Sequence, residues 1–279
     1  LMAFMAMQFL RYLGAQVFLV DSDFGMYGAT AMVGGTHYDL GGETALGFQP
    51  LGKIDQGYEQ VVWAQGWMEN LFTVQDVALT PADKTEIWTA LESVASKPRT
   101  LRTLSCFQAC LQVQRLKPAL APFVGNGPYA FLDATGDTFR LTDWTCFEMK
   151  KMMEDIPAAL PHVMAYIFHE MEACFTGRPT LVIYDEAHAI FKHPVFQEPI
   201  LSQTKTAAKK NVAMVWGTQD IVDASRTPLW QALLNQCDNK LFTANPMATS
   251  TDLLPEYIKC GVTPFQAQMI AEGVRTQDY

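Results

Sequence analysis

Two adjacent carboxylates, Asp185 and Glu186, directly follow the apolar run Leu181–Tyr184. Such a run predicts a buried strand, which puts both carboxylates at its carboxyl end. In open α/β sheets this is the edge where ligands bind. The pair suits hydrolysis of a nucleoside triphosphate: Asp185 would hold Mg²⁺ through water, and Glu186 would orient or polarise the attacking water. The structural alternative is a buried strand followed by a solvated acidic turn.

A second polar strand end lies about thirty residues further along the chain. The apolar segment Val212–Trp216 predicts a strand, and Gly217, Thr218 and Gln219 follow it. The amide of Gln219 is suited to sensing a γ-phosphate or positioning a water, although a turn residue that closes the strand would have the same pattern. Together the two strand ends are typical of the Walker B and sensor edges of a RecA-like ATPase.

Two further pairs of charged residues, one before the strand Val212–Trp216 and one after the strand predicted at Gln16–Val20, allow a functional and a structural interpretation. Lys209 and Lys210 end the helix predicted before the second strand. They would either complement the helix dipole or form a cationic finger that reaches a neighbouring subunit's nucleotide. Asp21 and Asp23 follow the first predicted strand and precede glycines. They would face the nucleotide or a subunit partner, or cap a turn.

These side chains need an alternating set of elements to position them. Strands are predicted at Gln16–Val20, Trp144–Phe147, Thr180–Tyr184, Val212–Trp216 and Lys240–Ala244, and helices at Leu1–Leu13, Pro161–Phe175, Pro199–Lys210, Leu229–Gln236 and Pro264–Glu272. Apolar strands alternating with helices predict an α/β fold whose mainly parallel sheet is covered on both faces. The glycine-rich stretch 25–42 predicts a loop region. We divide the chain into residues 1–54, the first part of the core, 55–140, a mostly helical insertion, and 141–279, the remainder of the core.

The composition of the chain indicates a folded protein and argues against some kinds of binding site. The chain has 279 residues, 49% of them hydrophobic, and a formal net charge of −9. This is ordinary for a folded protein, and the acidic balance argues against broad electrostatic binding of DNA. The six cysteines form no C-x-x-C pair, which favours reduced thiols in a cytoplasmic compartment over a zinc site.

The phosphate cradle expected in such a fold, G-x-x-x-x-G-K-S/T, does not occur in the sequence. The chain instead begins inside an apolar helix that leads into a strand, where the helix after a phosphate loop would already be under way. We therefore expect a fragment truncated just after that loop, with no meaningful ATPase activity of its own.

Six blocks in order resemble the large ATPases of type IV secretion and conjugal transfer systems, of the TrbE and CagE type. They are VFLVDSDFGMYGATAMVGGTHYDL with GFQPL, GNGPYAFLDATGDTF with CFEMKKM, YIFHEMEACFTGRPTLVIYDEAHAIFKHPVF, KTAAKKNVAMVWGTQD, CDNKLFTANPMA and YIKCGVTPFQAQMIAE. The resemblance implies a RecA-like P-loop NTPase core with a helical insertion that uses ATP and Mg²⁺. It further implies a homo-oligomer, often a hexamer, that associates with the cytoplasmic side of the inner membrane and with other secretion components.

The resemblance also assigns roles to residues. Asp185 and Glu186 match the Walker B motif and Gln219 the glutamine motif, while Lys209 and Lys210 lie where the family usually has Arg-Lys. The chain departs from the family at His188, where a tryptophan is frequent. Two rival functions stay open: a non-catalytic RecA-like module for assembly or DNA binding, and a coupling or packaging ATPase that pumps DNA.

Overall fold

The computed structural model of the chain describes residues 1–42, 46–191, 197–219 and 221–274. The chain forms two compact units. The first combines Leu1–Val20 with Phe175–Tyr279, and the second is Asp21–Cys174. The division into 1–54, 55–140 and 141–279 stays a prediction.

All described strand pairs are parallel. The strands are β1 Gln16–Asp21, β2 Thr36–Asp39, β3 Trp144–Glu148, β4 Thr180–Tyr184 and β5 Val212–Trp216. In the first unit β4 pairs with β1 and with β5, and Tyr184 lies opposite both Val20 and Trp216. In the second unit β2 pairs with β3. Every residue of β1 and β4 is buried, as expected of apolar strands covered on both faces.

Seven helices of the first unit are described: α1 Met2–Phe9, α9 Ala187–Phe191, α10 Gln197–Ala207, α11 Ile221–Ser225, α12 Pro228–Gln236, α13 Leu254–Lys259 and α14 Pro264–Glu272. The last of these has the predicted bounds. The prediction of a helix over Leu1–Leu13 was too long. The amides of Arg11 and Tyr12 bond only three residues back, Gly14 has a left-handed φ of 70°, and Leu13 is 98% exposed.

The second unit carries most of the remaining helices: α2 Tyr27–Met32, α3 Tyr58–Val74, α4 Pro81–Ala95, α5 Leu104–Cys110, α6 Lys117–Leu120, α7 Lys150–Asp155 and α8 Leu160–Ala173. Helix α4 begins with Thr80 as its cap and Pro81 in its first turn. The prediction of a loop over 25–42 was wrong in part, because α2 and β2 lie within it. Ala29 and Thr30 of α2 are buried, so packing overrides the glycine content there.

The strand predicted at Lys240–Ala244 is also wrong, since this segment has no regular secondary structure. Its contacts explain why. The ring of Phe242 packs against Tyr257 with centroids 5.5 Å apart, and the next residue after the segment, Asn245, donates its amide to the carbonyl of Ile270 at 3.0 Å. The segment therefore packs on the small cluster formed by α13 and α14 instead of extending a sheet.

None of the helices in the described part of the chain combines the length and the apolar character needed to cross a bilayer.

Candidate functional site

The end of β4 and the turn after it form backbone hydrogen bonds with both neighbouring strands, β1 and β5. The amide of Asp185 donates to the carbonyl of Val20 at 2.8 Å, and the amide of Gly217 donates to the carbonyl of Tyr184 at 2.8 Å. The amide of Ala187 then donates to the carbonyl of Gly217 at 2.8 Å. Because these bonds continue the parallel ladder past the strand ends, the predicted carboxylates lie beside the residues that follow β5.

Gly217 allows the close approach of β5 to the first carboxylate. A Cβ at this position would lie 3.3 Å from Oδ1 of Asp185 and 2.9 Å from the end of the Met2 side chain. The same Oδ1 accepts a hydrogen bond from the amide of Glu186 at 2.9 Å. Asp185 is thus held in one orientation at the carboxyl end of β4, as the sequence predicts.

Glu186 combines an uncommon backbone conformation with a half-buried carboxylate. Its φ of 49° lies in the left-handed region, which residues other than glycine seldom occupy. Its side chain is 16% exposed, and Oε2 lies 3.0 Å from Nδ1 of His188. The distance is that of an ion pair, but the direction from Nδ1 to Oε2 does not meet hydrogen-bond geometry. Oε2 is therefore a buried oxygen without a hydrogen-bond partner among the described residues.

His188 and Thr218 are site residues that the sequence analysis did not assign. Nδ1 of His188 lies 3.3 Å from Oγ1 of Thr218 as well as close to Glu186. Thirty residues separate the two side chains in sequence, and only the register of β4 against β5 brings them together. The one signal in the sequence for His188 and Thr218 was that each lies shortly after a predicted strand.

Gln219 directly follows Thr218 and is exposed. Strand pairing therefore puts Gln219 on the same edge as Asp185 and Glu186.

Lys209 and Lys210 do not join this site. They end the short turn Ala208–Lys210 that follows α10, just before β5 begins, and Lys209 is exposed. Asp185 and Gln219 lie at the other end of the strands, roughly 15 Å away for a five-residue strand.

Asp21 is fully buried and serves the loop after β1. Its Oδ2 accepts the amide of Met26 at 2.6 Å, and its carbonyl accepts the amide of Met149 at 3.0 Å. This geometry fits the capped-turn interpretation. Direct binding of a nucleotide by Asp21 stays a prediction.

A second buried carboxylate, Glu148, supports the same loop and was not singled out from the sequence. It accepts the amides of Phe24 at 2.6 Å and Lys150 at 2.8 Å. Asp23 and Phe24 both have left-handed φ values, 69° and 57°, so Glu148 stabilises a strained stretch. The exposed Asp23 forms an ion pair with Lys150, and this hydrogen bond raises the pKa of the lysine.

The donor set of the β4 edge fits Mg²⁺ bound largely through water. No group of three or more His, Cys, Asp or Glu side chains that could hold a metal ion occurs within the described residues. Mg²⁺ commonly uses one or two carboxylates, several waters and substrate phosphates. Asp185 supplies such a carboxylate, and the buried Oε2 of Glu186 is suited to accept a hydrogen bond from a water.

Comparison with known proteins found relatives over the whole chain but no matching family model. The chain is 32% identical over 287 positions to the conjugal transfer protein TrbE of Rhizobium radiobacter. It is 31% identical over 285 positions to the second segment of a probable conjugal transfer protein TrbE of Sinorhizobium fredii. Both alignments include 100% of this chain, which spans 35% and 43% of the two relatives.

A solved structure shows the fold. The structure of VirB4 of Thermoanaerobacter pseudethanolicus superposes with a TM-score of 0.73 at 16% identity, covering 98% of this chain and 80% of the other. This likeness confirms the predicted fold class, a RecA-like α/β core with parallel strands.

Proposed function

We propose a function from the premise that the chain belongs to the TrbE family of conjugal transfer proteins, as its sequence resemblance predicted. The chain would form part of an ATP-hydrolysing motor that energises conjugative transfer or type IV secretion, through pilus assembly and substrate translocation. Because it spans less than half of the two relatives reported above, the activity is proposed for the longer protein that contains it.

The observation that carries the proposal is the pairing of two polar strand ends. Asp185 and Glu186 follow β4, Gly217 to Gln219 follow β5, and the Ala187–Gly217 hydrogen bond of 2.8 Å joins the two segments. Carboxylates after one strand and an amide after the next, at the carboxyl edge of a parallel sheet, suit metal binding and the positioning of a water for hydrolysis of a triphosphate.

Each of these side chains has a proposed role. Asp185 would hold Mg²⁺, which when bound neutralises charge on the β- and γ-phosphates of ATP. Glu186 would orient and polarise the attacking water, for which its half-buried Oε2 is placed. The exposed amide of Gln219 would hydrogen-bond to the γ-phosphate or to the same water.

Oligomerisation is part of the proposal, because the two lysines lie away from the carboxylates. In a homo-oligomer, hexameric by family resemblance, Lys209 and Lys210 would approach the nucleotide of the adjacent subunit. Other type IV secretion components and the cytoplasmic face of the inner membrane would be the further partners. DNA would be a further partner only through a local basic groove, since the net charge of −9 offers no general electrostatic attraction to it.

The first test is substitution of the proposed water-orienting residue in the full-length protein. Glu186→Gln keeps the size of the side chain but removes its charge, so ATP binding should persist while turnover falls by about two orders of magnitude or more. Glu92→Gln, at an exposed position of α4, is the matched control and should leave both unchanged. Turnover of Glu186→Gln equal to that of the control would contradict the assignment.

The second test concerns the 279-residue chain itself. Its sequence holds no phosphate cradle of the expected form, so the purified chain should show no turnover above background in a phosphate-release assay. Robust hydrolysis by this chain would show that the phosphates are bound by some other arrangement.

A further inference from the structure

We infer that His188 is a positioning residue that holds the carboxylate of Glu186 and links it to Thr218. This inference rests on the proposed function, because it gives His188 a role in the same reaction. His188 stands where the resembled family frequently has tryptophan, so the link is a property of this chain's own residues.

The geometry places one ring atom between two oxygens. Nδ1 of His188 lies 3.0 Å from Oε2 of Glu186 and 3.3 Å from Oγ1 of Thr218. The side chains of His188 and Glu186 are 21% and 16% exposed, so water competes little for this contact. A ring nitrogen offers one hydrogen or one lone pair, and the hydrogen bond of Nδ1 is the one with Oγ1 of Thr218. The 3.0 Å approach to Oε2 of Glu186 is a polar contact without hydrogen-bond geometry.

The contact connects the catalytic turn to the segment that carries Gln219. Thr218 precedes Gln219, and Glu186 precedes Ala187, whose amide is bonded to Gly217. A backbone bond and a side-chain contact thus join the same two segments. Since Oε2 of Glu186 has no hydrogen-bond partner among the described residues, the Nδ1 contact is what orients this oxygen. A displacement of Gln219 by a bound phosphate would reach Glu186 through Thr218 and His188.

The experiment compares two amides at position 188 in the full-length protein. The amide of His188→Asn occupies nearly the place of Nδ1, whereas the longer His188→Gln puts its amide near the place of Nε2. The Gln variant should lose about tenfold in kcat at unchanged nucleotide affinity, the scale of one lost hydrogen bond, here that between Nδ1 and Thr218. The Asn variant should recover most of the loss, which a merely space-filling role would not produce.

Thr218 supplies the second half of the test. Thr218→Val removes the hydroxyl at constant shape, and Thr218→Ser retains it. The Val variant should lose turnover while the Ser variant keeps it, and His188→Gln combined with Thr218→Val should lose little more than either alone. Fully additive losses would overturn the link.

A measurement made without nucleotide can test the role of His188 independently of the proposed ATPase function. Amide hydrogen exchange at residues 186 to 188 and 217 to 219 should be faster in His188→Gln than in the wild type and should return towards the wild-type rate in His188→Asn. Wild-type turnover and exchange in His188→Gln would overturn the role of His188 and leave the proposed function standing. A wild-type protein that neither binds nor hydrolyses ATP would overturn both.

Discussion

The indole of Trp144 packs directly against the α-carbon of Gly35. Trp144 is 4% exposed, and its ring nitrogen donates to Oγ1 of Thr30 at 2.9 Å. A Cβ on Gly35 would overlap the indole. The glycine is therefore required by the close approach of a buried ring.

Gly35→Ala should accordingly destabilise the protein by about 2 kcal/mol, because the buried indole cannot move away without breaking its bond to Thr30. Gly28→Ala is the control. Gly28 lies in α2 with nothing near its missing Cβ, so alanine should be neutral or stabilise by up to about 1 kcal/mol. Urea denaturation measures both, and equal stabilities of the two variants would contradict the packing argument.

The cap of α4 gives a second prediction. Oγ1 of Thr80 accepts the amide of Asp83 at 3.3 Å, and the Asp83 carboxylate accepts the amide of Thr80 at 2.7 Å. Thr80→Ala should lower the free energy of unfolding by about 1 kcal/mol. Thr85→Ala, at an exposed position inside the same helix, should change it little. If both variants unfold at the same urea concentration, the cap contributes nothing.

His162 predicts a dependence of stability on pH. It is 1% exposed between Trp67 and Phe123, and burial lowers its pKa to about 4. Between about pH 6.5 and pH 4 the unfolded chain binds the proton and the folded chain does not, so the free energy of unfolding falls as the pH falls through this range. The loss should approach about 3 kcal/mol at the acid end.

His162→Phe removes this titration and a ring nitrogen that has no hydrogen-bond partner among the described residues. Stability near pH 7 should be retained, and the decline towards pH 4 should become shallower. It should not vanish, because burial also lowers the pKa of His169 to about 4. Denaturation curves of the variant that follow the wild type at every pH would contradict the assignment.

The two lysines before β5 give the last prediction. In the full-length protein, Lys209→Ala and Lys210→Ala should each lower ATP turnover at least about tenfold while nucleotide affinity stays constant, because the charge would act on a neighbouring subunit's nucleotide. Lys205→Ala, at an exposed site in the last turn of α10, is the control. Turnover equal to that of the control would remove the lysines from the reaction.

Local sequence signals sufficed for much of the fold. The bounds of β4 and β5 agree with the prediction because both segments are apolar and end at polar residues. The start of α4 was predictable from Thr80 and Pro81. The segment Lys240–Ala244 has the same local character as a strand, but Phe242 packs on Tyr257, and no local pattern reveals that competing contact.

In the candidate site too, some features were predictable from local sequence and others were not. The position of Asp185 and Glu186 at the end of a buried strand was predictable from sequence, because the apolar run stops directly before them. The contact between His188 and Thr218 depends on strand register, and the burial of Asp21 depends on the loop that folds back over it. Both arise from tertiary structure, which a single sequence leaves open.

If Glu186 has its proposed role in turnover, its left-handed backbone means that stability and activity place opposite demands on this position. Glycine there would relax the chain and remove the carboxylate in the same step. Directed evolution that screens only for heat resistance would therefore be drawn towards variants that no longer work, and any such campaign needs a functional screen beside it.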